Sequence, residues 1–158
     1  MNLIDQMRTQ AKSKKKKIAL PEADDERIIK AARILIKEKI ATPILIGNEK
    51  TIKEKADSLQ LNQNCITIFD PQNYTDFDDF VDIYYQKRQH KGISKEEARE
   101  CMLNRNFFGT MLVEKGIADG CLSGAATPTG DVLRPALHIL GTAEGVRTVS
   151  SDIFMILP

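Results

Sequence analysis

Cysteine, histidine and net charge are all in short supply in this 158-residue chain. The three cysteines, Cys65, Cys101 and Cys121, are an odd number and no two stand at C-x-x-C spacing. That argues against a disulfide framework or a cysteine-rich metal site, and it fits reduced thiols in a cytoplasmic protein. His90 and His138 are too few and too isolated to complete a zinc site, so no metal is expected. A net charge of +1 supplies no global field to attract nucleic acid. The one strongly basic stretch, Lys14-Lys15-Lys16-Lys17, lacks interleaved aromatics and reads as a solvated lead-in to a strand. No apolar run approaches the roughly 20 residues that cross a bilayer, and Met1 to Ala11 lacks the apolar core of a secretory signal. G-x-G-x-x-G, P-loop, H-E-x-x-H and G-x-S-x-G motifs are missing too, which weakens NAD, nucleotide-loop, zinc-protease and serine-hydrolase readings.

What is present is a globular balance, 42% apolar and 28% charged residues, enough for one core. Leu3, Ile4, Met7 and Ala11 fall on one helical face, so residues 2–12 read as an amphipathic helix. Ile18-Ala19-Leu20, Ile44-Leu45-Ile46, Ile66 to Phe69 and Cys121-Leu122 read as short strands. Between them lie helical patterns: one capped by Asp24 and running to about Glu38, one over 48–58, one from Phe77 to a stop at Gly92, and one over 106–115. Ser94 and Glu97 form a capping box for a further helix. Short apolar strands alternating with helices predict an α/β fold with a mainly parallel sheet. Residues 146–157 read as one or two more strands. An apolar strand at the very end suggests a truncated chain, with an edge that would seek a partner.

In such a fold ligands gather beyond the carboxyl ends of the strands. The segment from Ser123 through Gly124, Ala125, Ala126, Thr127, Pro128 and Thr129 to Gly130 follows a strand and is rich in small and hydroxyl residues. Thr127 can cap a helix that begins at Pro128, leaving amides free for a phosphate; an ordinary strand-to-helix turn fits the same pattern. Arg134 precedes Pro135, which predicts that the helix restarts there with a cation at its unfavourable end. An anionic ligand would answer that charge, and so would Asp131. Arg88 lies near the apolar stripe of its helix, where it can cap the last turn or project into a cleft.

Four blocks resemble the phosphate acetyl and butyryl transferase family. They are Ile18 to Glu22 with Asp25-Glu26-Arg27, then Tyr84 to Gly92, then Phe107 to Val113 followed by Ala118-Asp119-Gly120, and finally Ser123 to Leu137 continuing through Gly145 to Ser151. The similarity covers essentially all 158 residues. The resemblance implies an isocitrate dehydrogenase-like fold of two α/β domains in a homodimer, with members about twice this length. Residues 1–147 would then form the first domain and 148–158 the start of the second. It implies interconversion of acetyl-CoA and phosphate with acetyl phosphate and CoA, with CoA as a substrate and no tightly bound cofactor. It places the family's base, serine and main arginine beyond Pro158, so no catalytic residue is expected in this chain, which alone should be inactive. The binding groups implied here are Arg88, Ser123, Gly124, Thr127, Thr129, Gly130 and Arg134. The chain departs from the family at Thr127-Pro128 and at Arg105-Asn106. Butyryl transfer, or a non-catalytic acyl-CoA-binding regulatory module, is the alternative.

Overall fold

The computed structural model describes residues 2–150 and 155. Eleven principal elements follow one another: α1 (Leu3–Lys14), β1 (Lys17–Leu20), α2 (Glu26–Lys37), β2 (Thr42–Ile46), α3 (Glu49–Ser58), β3 (Thr67–Phe69), α4 (Phe77–Arg88), α5 (Lys95–Leu103), α6 (Arg105–Glu114), β4 (Gly120–Cys121) and α7 (Thr129–Ile139). The four strands form one parallel sheet in the order β3-β2-β1-β4. From β1 the chain moves outward to β2 and β3, then returns to the other side of β1 with β4. The order reverses between β1 and β4, which places a crevice at their carboxyl ends.

Side-chain alternation divides the core between the two faces of the sheet. Ala19, Ile44 and Ile46 face one way and pack with Phe80, Tyr84, Phe108 and Met111 from α4 and α6. Leu20 and Leu45 face the other way, against Ile29 and Ala32 of α2 and Ile52 and Ala56 of α3. Each such large side chain contributes about 1.5–3 kcal/mol on burial.

Local chemistry sets the helix ends. Asn48 caps α3 by accepting from the Thr51 amide. The Ser94–Glu97 box is formed at both of its bonds, at 3.1 and 2.7 Å. Gly92 turns the chain with φ 83°, in the left-handed region. Asp25, not Asp24, caps α2, because Asp24 is drawn into an ion pair with Arg105 of α6.

Two of the expected features take another form. The helix does not restart at Pro135: α7 runs unbroken through it, and Arg134 sits mid-helix rather than at an N-terminus. The ring of Pro135 is buried, and that packing outweighs the bias of a pre-proline residue away from helix. Residues 146–150 hold no strand; a turn at 144–145 precedes irregular backbone. The rest of that expected strand, apart from Met155, lies outside the described residues. The helix expected over residues 2–12 forms as α1, with Leu3, Ile4 and Met7 exposed along it.

Candidate functional site

The loop after β1, Pro21 to Asp25, and the loop after β4, Leu122 to Pro128, meet over the crevice. Glu22 joins them. Its carboxylate accepts the amides of Gly124, Ala125, Ala126 and Thr127 at 2.9, 2.8, 2.8 and 2.7 Å. The amides of this segment thus form an anion-binding nest, but they are not free for a phosphate: the anion they hold is the protein's own. Thr127 does not cap α7; its amide is turned to Glu22 instead. Burial pushes the Glu22 pKa up, but the amides of Ala126, Ala125 and Thr127, with the Thr127 hydroxyl, outweigh it and hold the carboxyl down at about 2.

Arg27 ties the same loop from outside, donating to the Ala125 carbonyl at 2.9 Å while paired with Asp25. Asn106 ties it from beneath. Its side-chain carbonyl accepts from the Ser123 hydroxyl at 2.7 Å, and its amide nitrogen reaches the Thr127 hydroxyl at 3.5 Å. Asn106 is placed by Asn104, whose side chain accepts the Asn106 amide at the start of α6. An open cavity of about 620 Å³ lies over Glu22, Asp24, Arg105, Asn106 and Thr127.

A second cavity, about 600 Å³, opens between α4, α5 and α7. Arg88, Lys91 and Arg134 bring three cations to it, with Tyr84, His138 and Cys101 in its wall. Its carboxylates are Glu97, committed to its helix cap, and Glu100. Tyr84 Oη lies 3.0 Å from His138 Nδ1, and Arg88 Nη2 lies 3.4 Å from His138 Nε2. Burial beside the Cys101 thiol pushes the Tyr84 phenol up to about 12. Burial, then the charges of Arg88 and Arg134, hold His138 below its ordinary value. Arg134 approaches Asp131 only to 3.7 Å, both side chains being more than half exposed, so that pair is weak.

The structure thus separates the expected residues into three groups. Arg88 and Arg134, 46 positions apart in the chain, share the cationic cavity. Ser123, Gly124 and Thr127 belong to the nest and its tether. Thr129 and Gly130 open α7 on the exposed surface and line neither cavity. Sequence reasoning missed Glu22, Asn106 and His138 as site residues. The pairing of a Pro-Glu loop after one strand with a small-residue loop after its neighbour was the one usable sign. Among the described residues no group of three or more His, Cys, Asp or Glu could hold a metal ion, and no helix is long and apolar enough to cross a membrane.

The model of the phosphate acetyl/butaryl transferase family matches residues 2–158. A phosphate acetyltransferase of Bacillus subtilis (strain 168) is 42% identical over 98% of this chain and 47% of its own length. One from Thermoanaerobacterium thermosaccharolyticum is 42% identical over 100% of this chain and 48% of its own. The crystal structure of a phosphotransacetylase from Streptococcus pyogenes superposes with a TM-score of 0.87 at 34% identity, over 94% of this chain and 46% of that one. The EutD phosphotransacetylase from Staphylococcus aureus gives 0.83 at 38% identity over the same shares. The chain spans about half the length of the curated relatives it matches.

Proposed function

The chain belongs to the phosphate acetyl/butaryl transferase family, and on that premise we propose that the protein carrying it interconverts acetyl-CoA and phosphate with acetyl phosphate and CoA. The observation that carries the reading is the cavity where Arg88, Lys91 and Arg134 converge. CoA bears a pyrophosphate and a 3′-phosphate, and a guanidinium grips such groups through paired, charge-assisted hydrogen bonds. In the direction that consumes acetyl phosphate, the CoA thiol loses its proton to a base, the thiolate attacks the acetyl carbon, and phosphate leaves with the C–O bond electrons. A free thiol has a pKa of ~8.5, so a base helps at neutral pH.

This chain's part is binding. Glu22 is a poor base, because four amides stabilise its ionised form. Glu97 is held by its helix cap. The resemblance to the family implies a base outside these 158 residues, and the 158-residue polypeptide alone is expected not to turn over. Ser123, Gly124 and Thr127 shape the loop over the crevice, and Thr129 and Gly130 follow it on the exposed start of α7, as part of the first of two α/β domains with residues 148–158 leading into the second. The enzyme is read as a cytoplasmic homodimer with no tightly bound cofactor.

The test is an acetyl phosphate or arsenolysis assay on the purified protein carrying these residues, beside the 158-residue polypeptide. CoA- and phosphate-dependent turnover is expected from the first and not from the second. A protein that binds acyl-CoA without turnover would be a regulatory module instead, and faster transfer of butyryl than acetyl groups would overturn the acyl assignment.

A further inference from the structure

Arg88 has an unusual way of being held. It ends α4, and among the described residues it forms no ion pair. Its polar contact is with the imidazole of His138, on α7. A guanidinium only donates hydrogen bonds, so the nitrogen it meets, Nε2, must be the unprotonated acceptor. The ring proton of the neutral imidazole then sits on Nδ1 and donates to the Tyr84 oxygen at 3.0 Å. That leaves the Tyr84 hydroxyl free to donate to the Cys101 sulfur, with which it interacts. One tautomer satisfies the whole chain of contacts.

We propose that His138 is a positioning residue for CoA binding: as a neutral acceptor it fixes the Arg88 guanidinium at the cavity mouth without neutralising it. This rests on the assignment of that cavity to CoA. A carboxylate in the same place would hold Arg88 more firmly but would cancel the charge the ligand needs. An apolar residue would leave a long side chain to be ordered at the ligand's expense. Imidazole avoids both costs.

The surroundings favour the neutral form. From α4 come Tyr84 and Arg88, with Lys91 in the turn beyond; from α7 itself comes Arg134. Across the cavity α5 presents Cys101, Glu97 and Glu100, and α6 presents only the ring of Phe107, at 6.1 Å. Burial and the two arginines work together against an imidazolium. When His138 does protonate, Nε2 gains a hydrogen that faces the Arg88 donor, and the contact reverses from attraction to repulsion.

The experiment measures CoA binding by calorimetry from pH 8 to 5.5 on the protein carrying these residues, with His138→Leu, His138→Gln, Arg88→Ala and the Arg88→Ala/His138→Leu double variant. At pH 8, His138→Leu should weaken binding roughly three- to tenfold, and His138→Gln, which keeps an acceptor, by less. In the Arg88→Ala background His138→Leu should cost nothing more. As pH falls, wild type should weaken more than His138→Gln; the loss they share is titration of the ligand's own phosphate, whose second pKa is about 6. Additive single-variant losses would overturn the proposal. So would a wild type that gains affinity over His138→Gln at low pH, because the imidazolium would then be a direct ligand of the anion. If wild type does not bind CoA at all, the functional assignment fails separately. The ¹⁵N shifts of His138 then still report whether Nε2 is the bare nitrogen and whether Arg88→Ala perturbs it; a proton on Nε2 refutes the arrangement.

Discussion

Glu22 accepts from four consecutive amides, so it answers with a built-in charge the donors that a phosphate would otherwise seek. Glutamine in its place keeps one acceptor oxygen and turns an NH₂ toward two amide donors. Glu22→Gln should therefore cost about 1–2 kcal/mol, less than for buried charge-assisted bonds because the loop is exposed and water can answer the freed amides. For a chain of this size that lowers the melting temperature by roughly 2–8 °C, measurable by calorimetry. Arg134 makes the opposite case. Its contact with Asp131 is long and exposed, so Arg134→Ala should barely change stability. The Michaelis constant for CoA should rise roughly ten- to a hundredfold, the effect of one lost charge-assisted contact, and Arg134→Lys should recover part of it. Lost stability with an unchanged constant would show that Asp131 is its true partner.

At the scale of elements, α6 fixes the crevice by lying close to the sheet. Gly109 allows this: a Cβ there would meet Cys121 Sγ at 3.0 Å, and Ile46 Cδ1 and Pro21 Cγ at 3.1 Å. Gly109→Ala gains up to ~1 kcal/mol of helix propensity, but crowding three core neighbours costs about 1–3 kcal/mol. A net loss of stability is expected, seen as a lower denaturant midpoint with an unchanged slope. Little of this was legible in the sequence. The capping box, the Gly92 stop and the strand–helix alternation were, because each depends on neighbours within four residues or on a simple period. The Asp24–Arg105 pair, which moved the α2 cap by one residue, joins positions 81 apart in the chain. The loop–Glu22 contacts span 102 to 105 positions and exist only because β4 pairs with β1. Pro135 misled for another reason. Its local preference was read correctly, and burial against the rest of the fold overrode it.

Across the whole molecule, the weakest link in the sheet is the one that carries the site. β4 pairs with β1 over only two positions, Ile18 with Gly120 and Ala19 with Cys121, whereas β1 and β2 pair over four. Both ends of that short ladder are held by carboxylates. At the amino end Asp119 accepts from Lys16 Nζ at 2.5 Å and from the Lys17 amide at 2.8 Å, and these contacts hold its carboxyl below the ordinary carboxylate range. At the carboxyl end Glu22 clamps the loop after β4. The folded pKa of Glu22 is about 2, below its ordinary 4.5. Its contribution to stability is therefore complete above pH 4.5 and is lost as pH falls from there through 2. Asp119, depressed in the same sense, acts in the same direction. Acid should thus free β4 and the nest before it loosens the pairing of β1 with β2. Native-state hydrogen exchange at about pH 3 and about pH 6 tests this: protection at Gly120 to Thr127 should fall first, while Ile44 to Ile46 remain protected. Glu22→Gln should show the same local loss already at the higher pH. Uniform loss across all four strands would mean that the sheet opens as one unit and that the carboxylate clamps do not set its order of opening.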